Sequence, residues 1–371
     1  MRCDWLAAGT VLLGLAAVAL PVEAATAAET NLAGVCPSPL VIQLDWFPQA
    51  EHGAAFNLLG DHYEVDKTDM RISGPLVAGG VDTGIKLELR SGGAPVSNMT
   101  TNSVAYADSS IHLTLLSMTD LMLGSRAAPM VAVLAPFEKS PIAVMWSPQR
   151  YPDVETIKDL KDKGITVNVS PGAAWPNYLV ALGQLDASQV DRSFDSSPAP
   201  FIASGGEFAQ QALATSDPFN YQEVYKEWGK PVKYQLIHDA GFRSYFETLA
   251  VRADKLDEMR PCLKRLVPLW QQALVDYMEH PEKANARIVD MVKTIDTYWR
   301  HGAERAAYSA KAQRDLGMVA NGSTPTIGDF DKDVVDEMLV LLRKSGSQIP
   351  EGFVGAKAYT NEFLDPSIGF K

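Results

Sequence analysis

The stretch Val41-Ile42-Gln43-Leu44-Asp45-Trp46-Phe47-Pro48-Gln49-Ala50-Glu51-His52 decides how the rest of the chain is read. Val41 to Leu44 is a short apolar strand, and Pro48, which has no amide hydrogen for a ladder, ends it in a turn. Ligands of open α/β sheets sit beyond the carboxyl ends of the strands, so the side chains of this turn are candidate binding groups. Trp46 and Phe47 offer flat apolar faces on which a heteroaromatic ring can stack. Asp45, Gln49 and His52 offer hydrogen bonds to ring nitrogens or an exocyclic amine. Each has a purely structural alternative: Trp46 as core, His52 as a solvated helix residue.

Working outward, the apolar runs that read as strands are Ile85 to Leu89, Val104 to Ala107, Val131 to Ala135 and Ile142 to Trp146. The second of these stops at Asp108-Ser109-Ser110. A new unit follows, with a helix over Asp153 to Lys163 closed by Gly164 and a strand over Ile165 to Val169. Next come the turn Ser170-Pro171-Gly172-Ala173-Ala174-Trp175 and a helix near Tyr178 to Gly183. Strands at Ala212 to Ala214 and Val232 to Ile237 precede a return strand at Thr248 to Arg252. Strands alternating with helices predict a parallel α/β sheet. The remainder is helical: Leu263, Leu266, Val267, Trp270, Leu274, Tyr277 and Met278 make one apolar stripe, and Val334, Met338, Leu341 and Leu342 another.

With 371 residues, 46% of them hydrophobic, the chain is long enough for two domains. Its formal charge of −12, with no basic stripe, argues against nucleic-acid binding. The N-terminus reads as a signal peptide over residues 1–28: Arg2, an uncharged apolar run from Leu6 to Leu20, Pro21, then small residues allowing cleavage after Ala24 or Ala27. The apolar run is shorter than the ~20 residues that span a bilayer. Cys3 would leave with this segment. Cys36 and Cys262 then remain for a disulfide in an oxidising compartment, with lipidation of Cys36 as the alternative.

One α/β unit interrupted by another, with two crossings between them, resembles the type 2 periplasmic binding fold. Leu44-Asp45-Trp46-Phe47-Pro48 with His52 resembles the opening motif of the NMT1/THI5-like family of ABC-transporter substrate-binding proteins. Lys158 to Val167, Pro200-Phe201, Gln211 to Phe219 and Tyr359 to Leu364 resemble further family segments. The inserted Ser73-Gly74-Pro75-Leu76-Val77-Ala78-Gly79-Gly80 and the Asp108-Ser109-Ser110 turn depart from the family pattern. The resemblance implies two lobes, each a mostly parallel sheet flanked by helices. The first would run over 37–138 and resume over 249–371, and the second would span 139–248. It implies an exported, periplasmic or extracytoplasmic monomer that closes on a small ligand such as a thiamine-pyrimidine precursor and docks on an ABC permease. An alkylsulfonate or nitrate carrier of the same fold is the nearest alternative, and an exported pyrimidine synthase a more distant one.

Further candidate ligand contacts lie at the other strand-end turns: Gly93, Ser109, Ser110, Gly172 and Ala173 as backbone donors, Phe137, Trp175, Phe219 and Tyr245 as aromatic walls, and Asp217 and Glu247 as partners for a ligand amine. No catalytic residue, metal or cofactor is expected. The six histidines lack a spacing such as His-x-x-x-His, and nucleophile-elbow, P-loop and dinucleotide motifs are missing. The fungal family members that make the pyrimidine use a cysteine-rich motif, which two distant cysteines cannot supply.

Overall fold

The computed structural model describes Met1 and residues 30–371; the expected signal peptide lies outside the described residues. Two mixed sheets carry the architecture. The first has seven strands in the order β2-β3-β4-β1-β5-β12-β6, namely β1 Leu40–Gln43, β2 Glu64–Asp66, β3 Arg71–Ala78, β4 Val81–Arg90, β5 Leu113–Leu116, β6 Met130–Leu134 and β12 Thr248–Arg252. The second has five, in the order β11-β7-β10-β8-β9, from β7 Ile142–Trp146, β8 Val167–Asn168, β9 Val190–Asp191, β10 Ala209–Leu213 and β11 Lys233–Leu236.

Parallel pairing is confined to the neighbours of β1 and β8: β4-β1-β5 in one sheet, β10-β8-β9 in the other. The remaining pairings are antiparallel, because β12 and β7 run back from the crossings and β2-β3-β4 is a meander. The segment that departs from the family pattern, Ser73 to Gly80, therefore builds strand β3 and the β3–β4 turn. Burial alternates residue by residue along β3 and along the first part of β4, as it does when one face of a sheet meets a core, while Leu87, Glu88 and Leu89 are all buried.

The chain crosses between the sheets over residues 135–141 and 237–247. These two segments touch: Phe137 and Phe246 form an antiparallel bridge and their rings meet edge to face at 5.7 Å. The apolar stripe Leu263 to Met278 lies on the helix Leu256–Glu279 and is buried throughout, as its spacing predicts. Cys262 of that helix is bonded to Cys36, so the bridge ties the start of the described chain to the principal helix of the first core.

One strand was misread. Val104 to Ala107 belongs to a helix, Thr101–Ala107, and the strand comes later, at Leu113–Leu116. Alanine at 105 and 107 favours helix, while Ile111-His112-Leu113-Thr114-Leu115-Leu116 is the run with the apolar density of a buried strand. The consequence falls on Ser109 and Ser110, which follow a helix rather than a strand end. Both are exposed; Ser110 Oγ donates to Asp108 at 2.7 Å and accepts from Arg90 at 3.0 Å.

Candidate functional site

A cavity of about 1250 Å³ opens between the two sheets, at the carboxyl ends of β1, β8 and β10. From β1 come Asp45, Trp46 and Gln49; from β8 comes Ser170; from β10 and the turn after it come Gln211, Ser216, Asp217 and Phe219. This is where an open α/β sheet presents its turns and leaves backbone groups unpaired. The glycine pair after β4 makes room for the β1 turn. A side chain on Gly92 would lie 1.9 Å from the Leu44 carbonyl oxygen, and one on Gly93, whose φ is +74°, 1.9 Å from that of Asp45. Gly92 N–H donates to the Trp46 carbonyl at 3.1 Å, which ties the two loops together.

A third wall comes from the loop between the helices Glu282–Ile295 and Ala303–Asp315. It brings Tyr298, Trp299 and Arg300 to the cavity, and the first turn of the second helix adds Arg305. Trp299 is fixed from several sides. Its Nε1 donates to the Pro48 carbonyl at 3.0 Å, its ring meets Trp46 edge to face at 6.2 Å, and the Arg305 guanidinium lies over it at 4.7 Å. The His301 ring lies 6.3 Å away and nearly parallel to it, buried and with neither ring nitrogen hydrogen-bonded to a described residue. Burial, then the Arg305 and His52 charges, push the His301 imidazole down to about 3, so it is neutral at ordinary pH.

Beneath the cavity lies a cluster of three titratable groups. His52 Nε2 is 2.9 Å from Asp45 Oδ1 and 3.3 Å from Glu247 Oε1. Burial alone would lower the imidazole, but the Glu247 charge and the hydrogen bond to Asp45 outweigh it and raise it to about 10. Glu247 is fully buried, and burial together with the Asp45 charge raises its carboxyl against the lowering effect of His52. Asp45 alone of the three reaches the cavity, its side chain 21% exposed.

The expected contacts therefore divide. Asp45, Trp46, Gln49, Asp217 and Phe219 line the cavity together. Asp217 is partly committed, since it accepts from the Leu213 amide at 2.7 Å, and burial raises its carboxyl. His52 and Glu247 lie one layer beneath, where His52 is buried rather than solvated. Phe47 is also behind the surface, 2% exposed. Trp175 is buried and donates to Gln211 Oε1 at 3.3 Å, holding a side chain that does line the cavity. Gly172 is exposed and Ala173 half-exposed, and in that turn it is Ser170 that meets the cavity. Phe137 is buried at the crossing, and the buried Tyr245 hydroxyl accepts from the Asp331 amide at 2.8 Å.

The family model described as NMT1/THI5 like matches residues 81–284, a little over half of the chain. The chain belongs to the NMT1/THI5-like family. The match begins after the Asp45 to His52 turn, so that turn lies beyond it. No curated protein matches the chain. Among solved structures it is similar to a protein of Bordetella bronchiseptica RB50, with 16% identity over 88% of this chain and 96% of that one and a TM-score of 0.53. It is similar to the periplasmic aliphatic sulphonate binding protein SsuA of Escherichia coli, at 13% identity over 84% and 86% of the two chains, TM-score 0.53. The periplasmic nitrate-binding protein NrtA of Synechocystis PCC 6803 is similar at 12% identity, covering 88% of each chain, TM-score 0.52. Likeness at this level establishes the two-lobed periplasmic binding protein fold. Among the described residues of this NMT1/THI5-like chain, no helix is long and apolar enough to cross a membrane.

Proposed function

We propose that this chain is the exported solute-binding protein of an ABC importer, capturing a small nitrogen-containing heteroaromatic ligand such as a thiamine-pyrimidine precursor. The observation that carries this is the aromatic wall. Trp46, Trp299, Tyr298, Phe219 and Phe246 line one cavity together with Asp45. Flat apolar faces hold a ring by stacking, and a carboxylate selects ring N–H or exocyclic amine donors. A cavity of about 1250 Å³ is more than a single pyrimidine fills. Burial of so small a ligand therefore rests on approach of the two lobes about the Phe137–Phe246 crossing, and the closed form is the one a permease would receive.

Two arginines give the second reading its foothold. Arg300 and Arg305 reach the same cavity, and an alkylsulfonate or nitrate would draw on them. Both are partly engaged with backbone: Arg305 donates to the Arg300 carbonyl at 2.8 Å, and Arg300 to the Trp299 carbonyl at 3.1 Å, while the buried Arg305 Nε has no partner among the described residues. The number of aromatic side chains on the same cavity favours the aromatic ligand.

Calorimetric titration of the purified protein with hydroxymethyl- and formylamino-pyrimidines, an alkylsulfonate and nitrate separates the readings. Saturable binding of a pyrimidine, with no product formed, is expected. Binding of the sulfonate or nitrate alone would move the ligand class, and turnover of a pyrimidine would move the protein to the enzymes. Intact mass of the native protein should show loss of about 24–28 residues if the N-terminus directs export.

A further inference from the structure

We propose that Asp45, His52 and Glu247 form a divalent-cation site beneath the cavity, open on the cavity side so that a captured ligand can complete the coordination. The three residues offer one imidazole nitrogen and two carboxylates, the donor set of catalytic zinc and of other first-row divalent sites. One donor atom from each lies within 4.8 Å of the others. A cation about 2 Å from each of three donors in tetrahedral geometry holds those donors about 3.3 Å apart. The two measured separations from His52 Nε2, 2.9 and 3.3 Å, are close to that spacing.

Glu247 supplies the independent observation. It is 1% exposed, and apart from the His52 Nε2 contact at 3.3 Å to Oε1 neither carboxyl oxygen has a well-aligned hydrogen bond with a described residue. A buried carboxylate in that condition is costly, and buried charges are ordinarily paired, hydrogen-bonded or bound to a metal. Among the described residues its ion-pair partner is the His52 ring, which it shares with the neighbouring Asp45 carboxylate. Once a cation displaces the protons held by the cluster, two carboxylates and a neutral imidazole sum to −2, which a divalent charge cancels. Asp45 gives the way in, since it alone of the three lines the cavity. His52 Nδ1 has no hydrogen-bond partner among the described residues. The site therefore lacks the outer support that orients a ligating histidine, and it should bind in the micromolar range rather than as a tight structural centre.

The test uses untagged protein treated with chelator and then dialysed, titrated calorimetrically with zinc and with manganese. Binding of one equivalent of either ion is expected, weakened at least about tenfold by Glu247→Gln and by Asp45→Asn, since removing a ligand costs no less than removing its outer partner. Cobalt added in place of zinc should give visible absorption that the variants lose. Thermal melts without metal establish that each variant is folded, and Asp45→Asn, at a part-exposed position, carries the test if Glu247→Gln is not. Absence of saturable binding by the wild type overturns the proposal, as does binding that both variants leave unchanged. Pyrimidine binding is not read in any of these measurements, so the site stands or falls apart from the ligand class.

Discussion

The ring of Phe47 stacks on the indole of Trp299, with centroids 6.2 Å apart and planes 16° from parallel. The residue beside it, Trp46, meets the same indole edge to face. The β1 turn thus props a wall in which Trp46 and Trp299 line the cavity, while the buried Phe47 stands behind them. Two aromatic residues from parts of the chain about 250 positions apart act as one surface.

This geometry predicts that Trp46→Ala and Trp299→Ala each weaken ligand binding. An aromatic stack contributes on the order of 1 kcal/mol beyond area burial, and the lost area adds ~2 kcal/mol, so each variant should bind roughly a hundredfold more weakly. Titration alongside thermal melts reads the result. A variant that melts several degrees lower but binds normally when folded would place that tryptophan in the core instead.

Phe47→Ala should behave differently. Its side chain is nearly fully buried and packs against Trp299 and Tyr298, so truncation leaves a cavity and should cost about 3–5 kcal/mol of stability. Phe47→Leu keeps most of the volume and should retain both fold and affinity. Denaturant unfolding of the two variants measures the difference, and a loss of affinity in Phe47→Leu without loss of stability would show direct contact with the ligand.

The Cys36–Cys262 bond closes a loop with a sequence separation of 226 residues, and long loops gain most from a cross-link in the chain-entropy picture. Replacing both cysteines with serine should lower stability by about 2–5 kcal/mol. Intact mass should rise by about 2 Da on reduction of the wild type, one hydrogen for each sulfur released. A lipid adduct on Cys36 in native protein would be incompatible with the bridge.

Much of the fold was legible because strand and helix periodicities differ and the buried stripes are long. Strands β7 and β12 fall on the residues their apolar runs predict. Val104 to Ala107 was not legible, since four residues of alternating character suit either period and tertiary packing decides. The site was half legible. Asp45, Trp46, Gln49, Asp217 and Phe219 could be named because a strand's carboxyl end is a rule of the fold. Trp299 could not, because it lies between two helices that no sheet rule reaches. The one sequence signal was Tyr298-Trp299-Arg300-His301, an aromatic and basic island interrupting two helical stripes. Glu247, expected to meet a ligand amine, is buried beside His52: at φ +54° it takes a backbone state that no apolar pattern announces.

Glu138, in the crossing between the sheets, gives the protein a pH dependence of stability that can be signed. Its carboxyl is largely buried, its Oε1 has no hydrogen-bond partner, and it faces Asp329, Asp331 and the Tyr245 hydroxyl. Burial, then the Asp329 and Asp331 charges, push it from the usual 4.5 up to about 8. Between those values the folded chain holds a proton that the unfolded chain has released, so stability falls as pH rises. Below 4.5 both states are protonated and there is no penalty; above 8 both are ionised and the penalty is complete. Glu138→Gln keeps the shape and removes the titration. Wild type and variant should therefore melt at similar temperatures at pH 5, and the variant should melt higher at pH 8.5. The difference between the two proteins isolates Glu138 from every other group that titrates in this range. An offset that is the same at both pH values would mean that Glu138 is ionised throughout and that its pKa is not raised.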